Sequence, residues 1–244
     1  MNISLAPEVI GQIGPIMVTN SLYTAIVVVT LLVIGLMLVS KNLTIGRPSK
    51  GQLFLEMVYT GLRSMCQSIL GEATAELFPF VLTFFVFILA SNWFGLLPIS
   101  GNIGFWHQGI EGEKELVPYF RAPTSDLSAA LALAMVAVIS INYLGFKKSG
   151  KNYGKKYLDT SNGINFAVGL LETISELGKI LSFSFRLFGN VFAGEVMLVV
   201  ITGITYGVAT FPFLGLEVFV GLIQAFVFFM LLTVFISLAV KGHH

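Results

Sequence analysis

The chain has 244 residues, of which 55% are hydrophobic and only 11% charged, with a net charge of +1 and a mean hydropathy of +0.86. A soluble domain carries about 25% charged residues, so this composition excludes an ordinary water-soluble domain, and the lack of a basic excess excludes a nucleic-acid binder. The lone cysteine, Cys66, excludes an intrachain disulfide and any CxxC metal or redox motif.

The first twenty residues lack a basic start and a small-x-small cleavage site, so no cleaved signal is expected and the first apolar run inserts directly. That run is 21–40, long enough at about 20 residues to cross a bilayer. From 50 to 70, Leu53, Met57, Met65 and Ile69 recur at helical spacing with Lys50, Glu56, Arg63 and Gln67 between them. This pattern predicts an amphipathic helix lying on the membrane surface, a short re-entrant helix being the alternative. Further spans follow at 78–99 and 127–146, then two longer stretches at 164–205 and 208–240. As one helix, 164–205 would reach about 60 Å, twice the hydrocarbon thickness. It must tilt steeply, lie partly along the membrane, or break. The predicted fold is an all-α membrane protein, one polytopic domain over 1–244, with five membrane segments and a surface helix. Its last two segments form a long, steeply tilted helical hairpin.

Lys41, Arg47, Lys50 and Arg63 lie between the first two spans, and Lys147, Lys148, Lys151, Lys155 and Lys156 between the third and fourth; Lys241 follows the last. All fall on one side of a five-span chain. Loop 100–126 instead carries Glu111, Glu113, Glu115 and Asp126 against Lys114 and Arg121. The positive-inside rule then places the N-terminus outside and the C-terminus in the cytoplasm. Glu111, Glu113 and Glu115 read as a solvated loop face. His107, in a loop, and His243 and His244, at the tail, have no ligand geometry, so neither a metal nor a cofactor is expected.

The costly residues sit in the last two segments. A guanidinium at mid-bilayer costs at least about 2.5–3.5 kcal/mol, and Arg186 cannot shed its proton. At about 100° per residue, Glu172, Glu176, Lys179, Arg186 and Asn190, with Asn165, share an arc of about 80° on one helix face. Glu195 points the opposite way from Arg186. The last segment adds Glu217 and Gln224 on nearly one face. A hairpin turning near Thr205–Tyr206, flanked by Gly203 and Gly207, sets Arg186 level with Gln224 and Glu195 level with Glu217. Intramembrane charges can pair only to hold helices together, but this many polar groups on aligned faces point to function. Asn92, Ser140 and Asn142 read as helix–helix hydrogen bonds, and Gly203-x-x-x-Gly207 as turn or packing chemistry rather than a dimer motif.

Ser184-Phe185-Arg186-Leu187-Phe188-Gly189-Asn190, followed by Ala193-Gly194-Glu195, resembles the signature of subunit a of the F-type ATP synthase, the membrane stator of its proton-driven rotor. Asn92-Trp93-Phe94-Gly95-Leu96-Leu97-Pro98 is similar to that family's second-span ending. Pro123-Thr124-Ser125-Asp126-Leu127 resembles its third-span start, and Gln224 in a Phe-rich last helix also matches. The resemblance implies that Arg186 is the essential stator arginine facing the rotor-ring carboxylate, with Asn190 and Gln224 as polar neighbours. It implies that Glu195 and Glu217 line a half-channel open to the outside. Glu172, Ser175, Glu176 and Lys179 would lie toward a cytoplasmic half-channel. Some members of the family carry histidine at the position of Glu217. The implied partners are the rotor c-ring, peripheral-stalk b subunits and membrane lipid, and the implied ion is H⁺, with Na⁺ left open. The subunit would be non-catalytic on its own, and its setting a bacterial plasma membrane rather than a plastid or mitochondrial one. The competing class is a secondary ion transporter or channel with an intramembrane charge relay, which normally shows paired repeats with broken helices; no such repeat is visible.

Overall fold

The computed structural model describes residues 8–14, 16–44, 46, 48–98, 100, 103–108, 114–150, 153–154, 157 and 163–241. Arg47, Glu111, Glu113, Lys151, Lys155, Lys156, His243 and His244, named above for charge or loop position, lie outside the described residues. The long helices are α1 (Asn20–Lys41), α2 (Lys50–Leu70), α3 (Thr74–Gly95), α4 (Leu127–Ser149), α5 (Gly163–Thr205) and α6 (Thr210–Lys241). Five helical stretches, namely α1, α3 continuing from α2, α4, α5 and α6, are long and apolar enough to cross a membrane. The protein is therefore an all-α, multi-pass membrane protein. Helix α1 leaves Leu31, Leu36, Met37 and Leu38 more than half exposed, a surface suited to lipid and not to water.

Local chemistry sets the helix limits. The Ser49 side chain accepts from the Gln52 N–H at 3.2 Å and caps α2, while Gly71, at φ 64°, ends it. Helix α3 starts four residues before the predicted span, with Glu76 in its first turn, where an acid is favoured. It also ends four residues early. The N–H groups of Leu96 and Leu97 turn back onto Trp93 and Phe94 at 3.2 Å, and Pro98 has no N–H to continue a helix. Asp126 accepts from the Ser128 N–H at 2.9 Å and caps α4. Helix α5 runs unbroken for 43 residues, about 65 Å at standard rise. Of the options its length left open, the break is removed.

Two short antiparallel hairpins lie outside the helices, one before α1 and one within the loop expected at 100–126. Strands β1 (Val9–Ile13) and β2 (Ile16–Thr19) pair, as do β3 (Gly104–Gln108) and β4 (Lys114–Pro118). His107 and Glu115 are thus strand partners rather than parts of an irregular loop. Phe105, Trp106, Leu116 and Val117 favour a pleated strand, but windows long enough to find a membrane span average such short runs away.

By contact the chain divides into two compact units. The first comprises 1–34, 86–132 and 184–225. There the two family-like segments become a knot of polar groups, of which Asn92, Thr124, Ser125 and Asp126 are buried. Asn92 donates to the Gly221 carbonyl at 3.2 Å and accepts from the Thr124 hydroxyl at 2.8 Å. Trp93 donates to the Val218 carbonyl at 3.1 Å. The Ser21 hydroxyl donates to Asp126 at 2.8 Å, and Thr24 accepts from the Arg121 N–H at 3.1 Å. Gly95 is required here, because a Cβ on it would lie 2.5 Å from the Cβ of Ala122. The expected helix–helix role of Asn92 is present.

The second unit comprises 35–85, 133–183 and 226–244. Its centre is aromatic: Phe84 stacks on Phe228 at 5.7 Å, Phe183 meets Phe228 at 4.7 Å, and Phe78 and Phe85 meet Phe229 edge-on at 6.5 and 5.9 Å. Helix α4 buries Ala134 and Ala137, small residues that allow the close approach on which packing within lipid depends, beside Val138 and Ile141. Helix α2 is anchored by Leu62, Cys66 and Leu70, spaced at i, i+4 and i+8, whereas Leu53, Met57 and Met65 stay exposed. The apolar stripe seen in the sequence is therefore not the face α2 buries against protein; only its C-terminal half is held.

Candidate functional site

The candidate residues divide between the two units. In the first, the turn closing α5 onto α6 uses Tyr206 at φ 51° and Gly207 at φ 87°, a left-handed pair that favours glycine. The turn falls where the sequence placed it. The register that follows sets the Thr202 and Thr210 hydroxyls 2.9 Å apart and brings Glu217 against Gly194. The contact is close enough that a Cβ at Gly194 would collide with the Glu217 carboxylate. Glu217 is therefore level with the Gly194–Glu195 step, as the hairpin reading expects. Glu217 and Gln224 are buried, and the Gln224 amide nitrogen has no hydrogen-bond partner among the described residues. Arg186 and Asn190 are half-buried on α5.

Glu195 has a partner the sequence reading treated only as a loop charge. Arg121, just before α4, approaches it at 3.7 Å, and the Arg121 Nε donates to the Ser125 hydroxyl at 3.1 Å. The signal was available: Arg121 is a cation four residues before Ser125, in the Pro123–Asp126 segment already singled out. Only tertiary structure pairs it with Glu195.

In the second unit, Glu176 is buried and Lys179 half-buried. The Lys179 ammonium donates to Glu176 at 2.6 Å, the i,i+3 pairing their spacing allows. The same ammonium sits 5.1 Å from the ring centroid of Phe235. Asn142 of α4 donates to the other Glu176 oxygen at 3.2 Å, the helix–helix bond expected of it. Two tyrosines that the sequence reading passed over complete the cluster. The Tyr157 hydroxyl lies 2.6 Å from the Asn142 oxygen and 3.3 Å from Glu176, and the Tyr153 hydroxyl lies 3.0 Å from the Asn142 oxygen. Burial, then the hydrogen bond with Tyr153, then the Glu176 charge, hold the Tyr157 phenol protonated well above its ordinary range. Glu172 is half-buried, and Ser175 and Asn165 are exposed. Among the described residues no cluster of three or more His, Cys, Asp or Glu could hold a metal ion.

Ionisable and amide side chains placed along the helices of a multi-pass all-α protein define a class, an integral membrane protein with charge inside its spans. The chain belongs to the ATP synthase A chain family, whose model matches residues 21–237, as the Ser184–Asn190 motif implied. It is thus a proton-translocating subunit of the membrane sector of ATP synthase, associated with other subunits of that sector.

Proposed function

We propose that this chain is the stator that offers two offset half-channels to the carboxylates of a rotor c-ring, with Arg186 separating them. It acts as one polytopic domain, non-catalytic by itself, held beside the ring with peripheral-stalk b subunits and lipid. The charge asymmetry of its loops favours a bacterial plasma membrane, with the N-terminus outside and the C-terminus in the cytoplasm. A proton arriving from outside passes Glu217 and Glu195 and neutralises a ring carboxylate. The neutral carboxyl can travel through lipid, whereas a charged one cannot at acceptable cost. After nearly a full turn it ionises toward Glu172, Ser175, Glu176 and Lys179. The new carboxylate then meets Arg186, whose fixed charge favours the ionised form and opposes direct proton passage; Asn190 and Gln224 are polar neighbours of that contact. Each proton crossing about 100 mV supplies about 2.3 kcal/mol.

One observation carries this reading. A single unbroken helix, α5, holds the Glu176–Lys179 pair, Arg186 and Glu195 at successive levels. At standard rise Arg186 is about 15 Å from Glu176, about 10 Å from Lys179 and about 14 Å from Glu195 along the axis. Two polar regions on either side of an arginine suit half-channels that do not meet. The test is Arg186→Ala in reconstituted complexes. The subunit is expected to insert and assemble while proton-driven ATP synthesis is lost. Synthesis at the normal rate would defeat the reading.

A further inference from the structure

The Tyr153–Tyr157–Asn142 group is not part of the path described above, yet it meets Glu176 directly. Asn142 makes all four hydrogen bonds its amide allows. Its nitrogen donates to the Val138 carbonyl at 3.0 Å and to Glu176 at 3.2 Å, and its oxygen accepts from Tyr153 at 3.0 Å and Tyr157 at 2.6 Å. Reversing the amide would point its oxygen at a carboxylate, so its orientation is determined. Glu176 in turn is held from three parts of the chain: it accepts from Lys179 on α5 and from Asn142 on α4, and the Tyr157 hydroxyl between those helices shares its one proton between the Asn142 oxygen at 2.6 Å and Glu176 at 3.3 Å. Tyr153 is itself seated. The Tyr153 ring lies over Gly145 so closely that a Cβ there would come within 2.5 Å of a ring carbon, and the two tyrosine rings meet edge-on at 5.8 Å. Behind Lys179 stands Phe235 of α6.

We propose that Tyr157 and Asn142 are positioning residues of the ion path, fixing the Glu176 carboxylate, and through it the Lys179 ammonium, in one arrangement on the cytoplasmic side. The inference rests on the reading of that side of α5 as a half-channel. A carboxylate held by one ammonium alone on a flexible four-carbon stem would occupy several rotamers. The Asn142 amide and the shared Tyr157 hydroxyl, coming from separate elements, leave it one. The phenol suits this task because it donates without adding charge and, half-buried and beside Glu176, keeps its proton. Proton exchange at the inner end of the path then occurs at a fixed distance rather than over a spread of geometries, and rate depends steeply on such placement.

The experiment is a double-mutant cycle in the reconstituted ATP synthase complex, reading ATP-driven proton pumping. Tyr157→Phe keeps the ring, removes the hydroxyl, and is expected to slow pumping about 5- to 10-fold. Because Tyr157 acts through Glu176, adding Tyr157→Phe to Glu176→Gln should slow the complex no further than Glu176→Gln alone. The deficit should change as pH is varied on the cytoplasmic face and stay constant as pH is varied outside. Asn142→Ser, which removes the other donor, goes through the same cycle and decides the matter where Tyr157→Phe fails to assemble. Losses that multiply in the double variants, or a deficit indifferent to the pH of the cytoplasmic face, would overturn the proposal. Such a result with Arg186→Ala still inactive removes only the positioning role, whereas an active Arg186→Ala complex removes the stator reading beneath it.

Discussion

Gly194→Ala separates what the α5–α6 contact does for stability from what it does for transport. A Cβ at this position would lie 2.5 Å from the carboxyl carbon of Glu217 and 2.7 Å from one of its oxygens. Ordinary carbon contacts begin near 3.5 Å, so the carboxylate must retreat by about 1 Å. The obstructing atoms are the end of a flexible side chain and not backbone, so the retreat costs about 0.5–1.5 kcal/mol of rotamer strain. Replacing a helical glycine by alanine returns about 0.8–1 kcal/mol. The two nearly cancel, and the thermal stability and abundance of the complex should be unchanged. Transport should not be. If Glu217 carries protons, a displacement of about 1 Å lowers the rate by up to about 100-fold. The assay is ATP synthesis driven by an imposed proton gradient in proteoliposomes. Glu217→Asp, one methylene shorter, should restore room and recover part of the rate when combined with Gly194→Ala. Gly203→Ala is the control, since nothing lies within 4 Å of a Cβ there. Normal synthesis by Gly194→Ala, or an equal loss in Gly203→Ala, would refute the reasoning.

Two further outcomes are expected. Asn92→Ala strands the Thr124 hydroxyl in a buried site and removes the link to the Gly221 carbonyl of α6, and should destabilise the subunit by about 1–3 kcal/mol, read as a lower melting temperature in detergent. The Tyr157 phenol keeps its proton in the folded chain, whereas in the unfolded chain it is lost near pH 10. Above that pH the folded state binds more protons than the unfolded one, so stability falls as pH rises. Melting followed from about pH 8 to about pH 11 should decline more steeply for the natural chain than for Tyr157→Phe.

Much of the fold was legible because lipid imposes a simple rule: every buried backbone group must be satisfied within its own segment, so long apolar runs are helices. The hairpin turn near Thr205–Tyr206 was legible for a related reason, since its glycines interrupt an otherwise continuous apolar run. The two β-hairpins and the early end of α3 were not. They depend on short patterns and on single residues such as Pro98, which a membrane-length window averages away.

The polar groups divide in the same way. Glu172, Glu176, Lys179, Arg186, Asn190 and Glu195 could be placed from sequence because a helix converts spacing into direction, and the level of Glu217 follows once the hairpin is closed. Their partners on other segments could not. Arg121 beside Glu195, and Asn142, Tyr153 and Tyr157 around Glu176, come from segments whose separation along the chain carries no distance information. By itself the sequence determined that the chain crosses a membrane and which charges lie along its longest helix, because hydropathy and helical period are local properties. Only the tertiary structure decided which neighbours hold those charges, because a hydrogen bond between distant residues exists once packing has brought its donor and acceptor within about 3 Å.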